Sequence, residues 1–395
     1  MRVLIALASS SGQLSGVPRH AISLASCLLT RAEISAVHLV AAPWQREFLE
    51  DACPCHDARL HIHTAPIGNT AWSRNAWFYA QLPKLAAALN ADIVHVAYPA
   101  PIRRAAFACP VVVTLHDLYP YDIPDNFGFP KVLFHRIVLR QCLRQVDAIA
   151  CVSQSTQSRL ARLDLQLATR KSVIVCNAVE PAQQPPFGTL SPKWSDRPFL
   201  LCVAQHRRNK NILLALQVLE RMLRGWQLTP GTRMIVVGIP GPETPAIEDF
   251  VASSGLRENV VFANGVSEAQ LQWCYRNCGV LLAPSSLEGF GLPVAEALLA
   301  GCRVVCSDIP AFRELGADHC RYVPLGSNSV ADFANAIAGA LCESRPEPVP
   351  LPQLASPVIA AGYMQLYRSL LPSPIAQRSS EQASAPSGRE SRHPL

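Results

Sequence analysis

The stretch Val280-Leu-Leu-Ala-Pro284-Ser-Ser-Leu-Glu288-Gly-Phe-Gly-Leu-Pro293-Val-Ala-Glu296-Ala-Leu298 holds three structural instructions in one segment. Four apolar residues, Val280 to Ala283, read as a buried strand that Pro284 ends. Gly289 and Gly291 let the backbone come close to a ligand, and Pro293 is placed to open a helix. Glu288 is left in the loop at the strand's carboxyl end, and Glu296 lies about one turn into the helix. Strand, glycine turn and helix in that order make one βα unit, the repeating element of a parallel sheet.

The same rhythm continues in both directions. Around this unit, strands are predicted at Phe199–Val203, Met234–Gly238, Val260–Phe262 and Arg303–Cys306, alternating with helices at Ile212–Leu223, Pro245–Ser253, Glu268–Tyr275 and Pro293–Ala300. Upstream, residues 181–198 are proline-rich and lack a hydrophobic period, which predicts a linker. Before the linker the strands are Val3–Leu7, Ala36–Ala41, Ile93–Val96, Val111–Leu115, Ala148–Val152 and Val173–Cys176. Helical stretches lie around Val17–Leu29, Ala76–Leu89 and Lys131–Gln145. The fold class is therefore α/β, with two doubly wound, Rossmann-like domains, residues 1–180 and 199–343, facing across a cleft. Residues 344–371 read as a proline-rich segment and one more helix, whose apolar face is Val358, Ile359, Met364, Leu366, Tyr367, Leu370 and Leu371. Residues 372–395 have a composition that predicts disorder.

The chain has 395 residues, of which 49% are apolar and 16% charged, so a full-sized core is available. Polar residues or Pro interrupt every apolar run before it could span a bilayer, and the first residues lack a secretory segment; the expectation is a cytoplasmic protein. A net charge of +6 is mild, and it is scattered rather than clustered, which argues against a nucleic-acid partner. Most cysteines sit inside apolar runs and read as core residues. Cys53/Cys55, Cys274/Cys278 and Cys302/Cys306 come nearest to metal spacing, but no second pair follows at a finger-like interval, so no metal site is predicted.

In doubly wound sheets ligands bind beyond the carboxyl ends of the strands. Four such places hold suitable residues. The Ser9–Pro18 loop, with Gly12 and Gly16, presents bare N–H groups at a helix start, either for an anion or as an ordinary turn. It lacks the GxGxxG spacing of a nucleotide-linked dehydrogenase. His116 and Asp117 follow a strand and point either into the cleft or to a neighbouring loop. Glu288 and Glu296, with Gly289, Phe290, Gly291 and Leu292 between them, suit a ligand with hydroxyls at both ends and phosphate in the middle. Finally, Arg207, Arg208 and Lys210 in the loop Ala204–Asn211 either cancel diphosphate charge or form a solvated turn.

The segment EGFGLPVAE matches the E-x7-E motif, and with GVPRHAISLA, LHDLYP, VSQSTQSRL, VIVCNAVEP and NKNILLAL in order the chain resembles the retaining glycosyltransferases of family 4, of GT-B fold. The resemblance implies that Glu288 binds hydroxyls of the donor sugar, Glu296 the donor ribose, and Lys210 with an upstream arginine the diphosphate. His116 would contact the transferred sugar. Family members usually carry Gly-Arg where this chain has Ala204-Gln205, and Arg207 is taken as the substitute. The implied reaction moves a mannose-like or other hexose from a nucleotide sugar to a glycan or lipid-linked saccharide, with front-face retention and no cofactor. No Asp-x-Asp occurs in the chain, so no metal is expected. A GT-B-fold epimerase or hydrolase and a non-catalytic sugar-nucleotide-binding subunit are the competing readings. On the acceptor side, Arg136, Arg140 and Arg144 recur at helical spacing behind the aromatic loop Tyr119–Pro130. They read either as a basic stripe for an anionic membrane or as the solvated face of a core helix.

Overall fold

A computed structural model describes residues 1–10, 12, 15–52, 57–181 and 196–372. The first domain contains strands β1 (Arg2–Ala6), β2 (Ala36–Ala41), β3 (Leu60–Thr64), β4 (Ile93–Val96), β5 (Val111–Leu115), β6 (Ala148–Cys151) and β7 (Ser172–Ile174). They form one parallel sheet in the order β3-β2-β1-β4-β5-β6-β7. In the second domain, β8 (Phe199–Val203), β9 (Arg233–Val237), β10 (Val260–Ala263), β11 (Leu281–Ala283), β12 (Val304–Ser307) and β13 (Arg321–Val323) pair in the order β10-β9-β8-β11-β12-β13. The central strands are mostly aliphatic because helices cover both faces of each sheet, with His95 of β4 and Thr114 of β5 the buried polar pair between them. Val3 and Ile5 of β1 face one core with Leu24 and Leu28, while Leu4 and Ala6 face another with Phe78 and Leu82.

Each sheet reverses its winding once, between β1 and β4 and between β8 and β11. Loops at such a reversal diverge to opposite faces and leave a crevice. The loops after β1, β8 and β11 are those singled out in the sequence.

The helix Ser356–Leu370 follows the whole second domain yet belongs to the core of the first. Its residues Ile359, Ala360, Tyr363, Met364, Leu366 and Tyr367 are buried with Ala21, Leu24 and Leu28 of helix Gly16–Leu29. The 3-4 spacing of these residues makes a single apolar stripe, and Tyr367 donates or accepts across 2.7 Å to His95 Nδ1 on β4.

Some elements differ from expectation. The stretch Ala76–Leu89 is two helices, Ala71–Ala80 and Leu82–Ala88. Pro83 has no N–H to donate, so the chain restarts there. Strand β3, Leu-His-Ile-His-Thr, was not predicted: as an edge strand it is only half-buried and needs no aliphatic run. The linker is described only at Pro181 and from Asp196 onward; residues 182–195, 373–395, and the Cys53/Cys55 pair lie outside the described residues. Among the described residues, no helix is long and apolar enough to cross a membrane, and no three His, Cys, Asp or Glu side chains group so as to hold a metal ion.

Candidate active site in the interdomain cleft

Glu288 stands where β11 gives way to the helix Leu292–Leu299, and it is buried. Lys210 Nζ donates to both of its carboxylate oxygens at 2.7 Å. The lysine is delivered by a short turn, Arg208–Lys210, stitched to the Glu288 loop. Asn209 Nδ2 donates to the Leu287 carbonyl at 3.1 Å, Ser286 N to the Asn209 carbonyl at 2.8 Å, and Asn211 Nδ2 to the Pro284 carbonyl at 3.0 Å. Asn211 adopts a left-handed φ of 49°, which asparagine tolerates better than most residues. The Asn-Lys-Asn sequence is thus the frame that aims Lys210.

Glu296 is also buried, and burial raises its carboxyl above the ordinary range; Arg19 works against that rise. Tyr275 Oη donates to one oxygen at 2.8 Å and Arg19 Nη1 to the other at 3.1 Å. Arg19 also pairs with Glu268. Burial alone would lower the arginine, but Glu296 and Glu268 outweigh it and hold the guanidinium firmly charged. Arg19 comes from the first domain and both glutamates from the second, so this bridge spans the cleft. Sequence reasoning missed it. The available signal was a cation in the first turn of helix Gly16–Leu29, where the macrodipole disfavours positive charge.

From the first domain, His116 Nε2 shares a hydrogen bond with the Ala97 carbonyl at 2.8 Å, and the ring of His20 meets it edge-on with centroids 4.8 Å apart. Burial pushes His116 down to about 4, so the ring is neutral at pH 7. With Nε2 donating, Nδ1 is an acceptor. Asp117 is partly buried and desolvation raises its carboxyl, with Arg207, Arg159 and Lys210 opposing the rise. Arg207 lines a cavity of about 200 Å³ together with His116, Asp117, Tyr119, Phe127 and His135. Arg208 turns away to pair with exposed Asp125 at 2.6 Å. A second cavity of about 170 Å³ is lined by Arg19, His20, Asn177, Glu268, Leu292 and Glu296.

The glycines contribute unequally. Gly289 lies against the His116 carbonyl, and its own carbonyl accepts from Ser153 Oγ at 2.5 Å and Thr156 Oγ1 at 3.0 Å. Gly291 has φ +105° and packs on the Phe312 ring. Gly12 stands beside Trp44 and Gly16 opens helix Gly16–Leu29; neither lines the two cavities. The side chain of Phe290 packs in the core of the second domain, which leaves only its backbone for a ligand. Arg159, unassigned in the sequence, donates to the Glu288 carbonyl at 2.6 Å and pairs with Asp122 at 3.1 Å.

Two family models match side by side: Glycosyltransferase Family 4 over residues 14–183 and Glycosyl transferases group 1 over residues 191–348. The chain belongs to the family 4 glycosyltransferases. It is 26% identical over 211 residues to the O-antigen chain mannosyltransferase RfbU of Salmonella typhimurium, covering 53% of this chain and 56% of that protein. The chain thus spans little more than half the length of the curated relatives it matches. Two solved structures share the fold over 97% of the chain. Sucrose-phosphate synthase from Thermosynechococcus elongatus has a TM-score of 0.65 at 15% identity, over 98% of its own chain. Anabaena HepE, in complex with UDP and glucose, has a TM-score of 0.61 at 17% identity, over 99% of its own chain. In this family 4 chain each glutamate of the E-x7-E motif has its own cation. Lys210, from the same domain, serves Glu288; Arg19, from the opposite domain, serves Glu296.

The predicted basic stripe needs correction. Arg136 is half-buried: its Nε donates to the Pro120 carbonyl at 2.7 Å and its guanidinium lies 5.2 Å from the Tyr121 ring centroid. The aromatic loop folds over that position and removes it from the exposed face. Arg140 and Arg144 remain exposed.

Proposed function

We propose that the chain is a metal-independent, retaining transferase that moves a hexose, mannose being the first candidate, from a nucleotide-diphosphate sugar to a glycan or lipid-linked saccharide in the cytoplasm. The observation that carries this reading is the partly buried Lys210–Glu288 pair, with Lys210 and Arg207 both acting on Asp117 beside the cavity that His116 lines. Breaking the bond between the sugar's anomeric carbon and the phosphate oxygen leaves negative charge on the diphosphate. Lys210, Arg207 and the amide end of helix Leu292–Leu299 are fixed charges and dipoles that would meet it. Glu288 then accepts from hydroxyls of the sugar, Glu296 from those of the ribose, and neutral His116 from a sugar hydroxyl at Nδ1. The acceptor hydroxyl, entering from the 200 Å³ cavity, bonds to the same face of the anomeric carbon and gives its proton to the departing phosphate oxygen. With charge supplied by side chains and no Asp-x-Asp in the chain, no metal is required. Mannose is put first because RfbU is a mannosyltransferase.

The test is a panel of GDP- and UDP-sugars incubated with the purified protein in excess EDTA, with product configuration read by NMR. Transfer or slow hydrolysis with retained configuration supports the reading. Inverted product, or activity that returns only with Mg²⁺ or Mn²⁺, overturns it.

A further inference from the structure

The helix Lys131–Gln145 has two faces with different tasks. Inward, Leu139, Cys142 and Leu143 enter the core of the first domain, and His135, Val138 and Leu139 wall the 200 Å³ cavity. Outward, Phe129 just before the helix is 83% exposed and Ile137 is 66% exposed, with Leu133 and Phe134 about half exposed between them. Leu133, Ile137, Arg140 and Arg144 follow one another at steps of three or four, so they form one line along the helix. The line is apolar in its first half and cationic in its second. Lys131 adds a charge at its start. At its end Lys171 Nζ caps the Arg144 and Val146 carbonyls at 2.9 and 2.7 Å, adding another.

Single exposed apolar residues are ordinary, but three within five helical positions, with Phe129 just ahead of them, are not. The charges around them are also one-sided. No acidic residue occurs between Asn126 and Val146. The carboxylates nearest in sequence are already matched to arginines: Asp122 to Arg159, Asp125 to Arg208 and Asp147 to Arg104. The face therefore presents uncompensated cations beside exposed apolar side chains, the complement of an anionic lipid surface, where apolar groups sink to the acyl boundary and Lys or Arg meet headgroups.

We propose that this face of helix Lys131–Gln145, with Phe129, docks on an anionic lipid bilayer. A lipid-linked acceptor would then reach the cavity on the other side of the same helix; that part rests on the proposed function, whereas the docking does not. At fifteen residues the helix lies on the surface rather than crossing it.

Co-sedimentation of the full chain with vesicles of phosphatidylcholine alone, or with about a third phosphatidylglycerol, tests this. The wild type is expected on the anionic vesicles and to be released by high salt. Arg140→Ser with Arg144→Ser is expected to weaken that binding by about thirtyfold, at roughly 1 kcal/mol for each cation. Leu133→Ser with Ile137→Ser is expected to weaken binding to the same vesicles while leaving the melting temperature unchanged, since both side chains are exposed. Equal binding of wild type to both vesicle types, no binding to either, or unchanged binding by both variants overturns the proposal; a protein partner would then be the better occupant. Sugar transfer to a water-soluble acceptor, measured in parallel, separates the two readings. A wild type that docks but transfers nothing leaves docking standing and removes the reading of function.

Discussion

A side chain at position 289 would place its first carbon 1.8 Å from the carbonyl oxygen of His116. No rotamer relieves that approach, because both atoms belong to backbone-fixed positions. The loop carrying Glu288 and the strand end carrying His116 come from different domains, so this contact sets how closely the two halves of the cleft meet. Gly289→Ala is expected to push the domains apart at this point, lowering stability by roughly 1–3 kcal/mol and cutting donor turnover at least as strongly. Melting temperature and steady-state kinetics check it; an alanine variant with wild-type values for both would show that the junction yields freely.

On the proposed function, Lys210→Ala removes the cation that meets the developing diphosphate charge, and the expected loss in kcat is roughly 10²–10³. It also strands the buried Glu288 carboxylate, which destabilises by at most about 3 kcal/mol in a pair that is partly buried. Lys210→Ala combined with Glu288→Gln should recover most of the melting temperature and none of the turnover. Recovery of both would make the pair structural only.

Arg19→Ala tests the bridge across the cleft. Burial already raises the Glu296 carboxyl, and without Arg19 it rises further. On the proposed function, donor KM in this variant should therefore climb more steeply on acidification than in the wild type, because protonation turns one carboxylate acceptor into a donor. The same pH dependence of KM in both proteins would place the ribose elsewhere.

Three histidines, His20 and His95 buried and His116 partly buried, predict acid sensitivity. Burial pushes His95 down to about 3 and His116 to about 4, and His20 is lowered by burial as well. Unfolded, each titrates near 6.5, so between that value and its folded value the unfolded chain binds more protons. The stability these rings contribute is complete above pH 6.5 and is lost as pH falls toward 4 and 3, at most about 1.4 kcal/mol per pH unit for each ring. His95→Asn should flatten the fall in melting temperature between pH 7 and 5. An unchanged slope would assign the acid sensitivity to other groups.

The sheet strands could be read because a strand covered on both faces is apolar along most of its length; Val111–Leu115 and Ile93–Val96 each carry one polar residue, Thr114 and His95, and these two satisfy each other at 2.7 Å. Edge strand β3, with a histidine at every second place, carries no such mark. Loop chemistry was legible where the residues lie together, as in the Glu288 to Glu296 segment. Arg19 and Arg159 were not, because their partners are set by domain docking: 277 residues separate Arg19 from Glu296. Arg136 shows the opposite error. Its spacing rightly places it on a helix face with Arg140, but spacing carries no record of the Pro120 carbonyl that covers it.

The helix Ser356–Leu370 gives the first domain a dependence on the order of synthesis. Translation finishes the second domain before Ile359, Tyr363 and Tyr367 exist, and until then Leu24, Leu28 and His95 lack the cover this helix gives them. The half made first is thus sealed last. A chimera that exchanges the halves by cutting only at residues 181–198 would leave one of them with a foreign seal, so a working graft must carry its own closing helix.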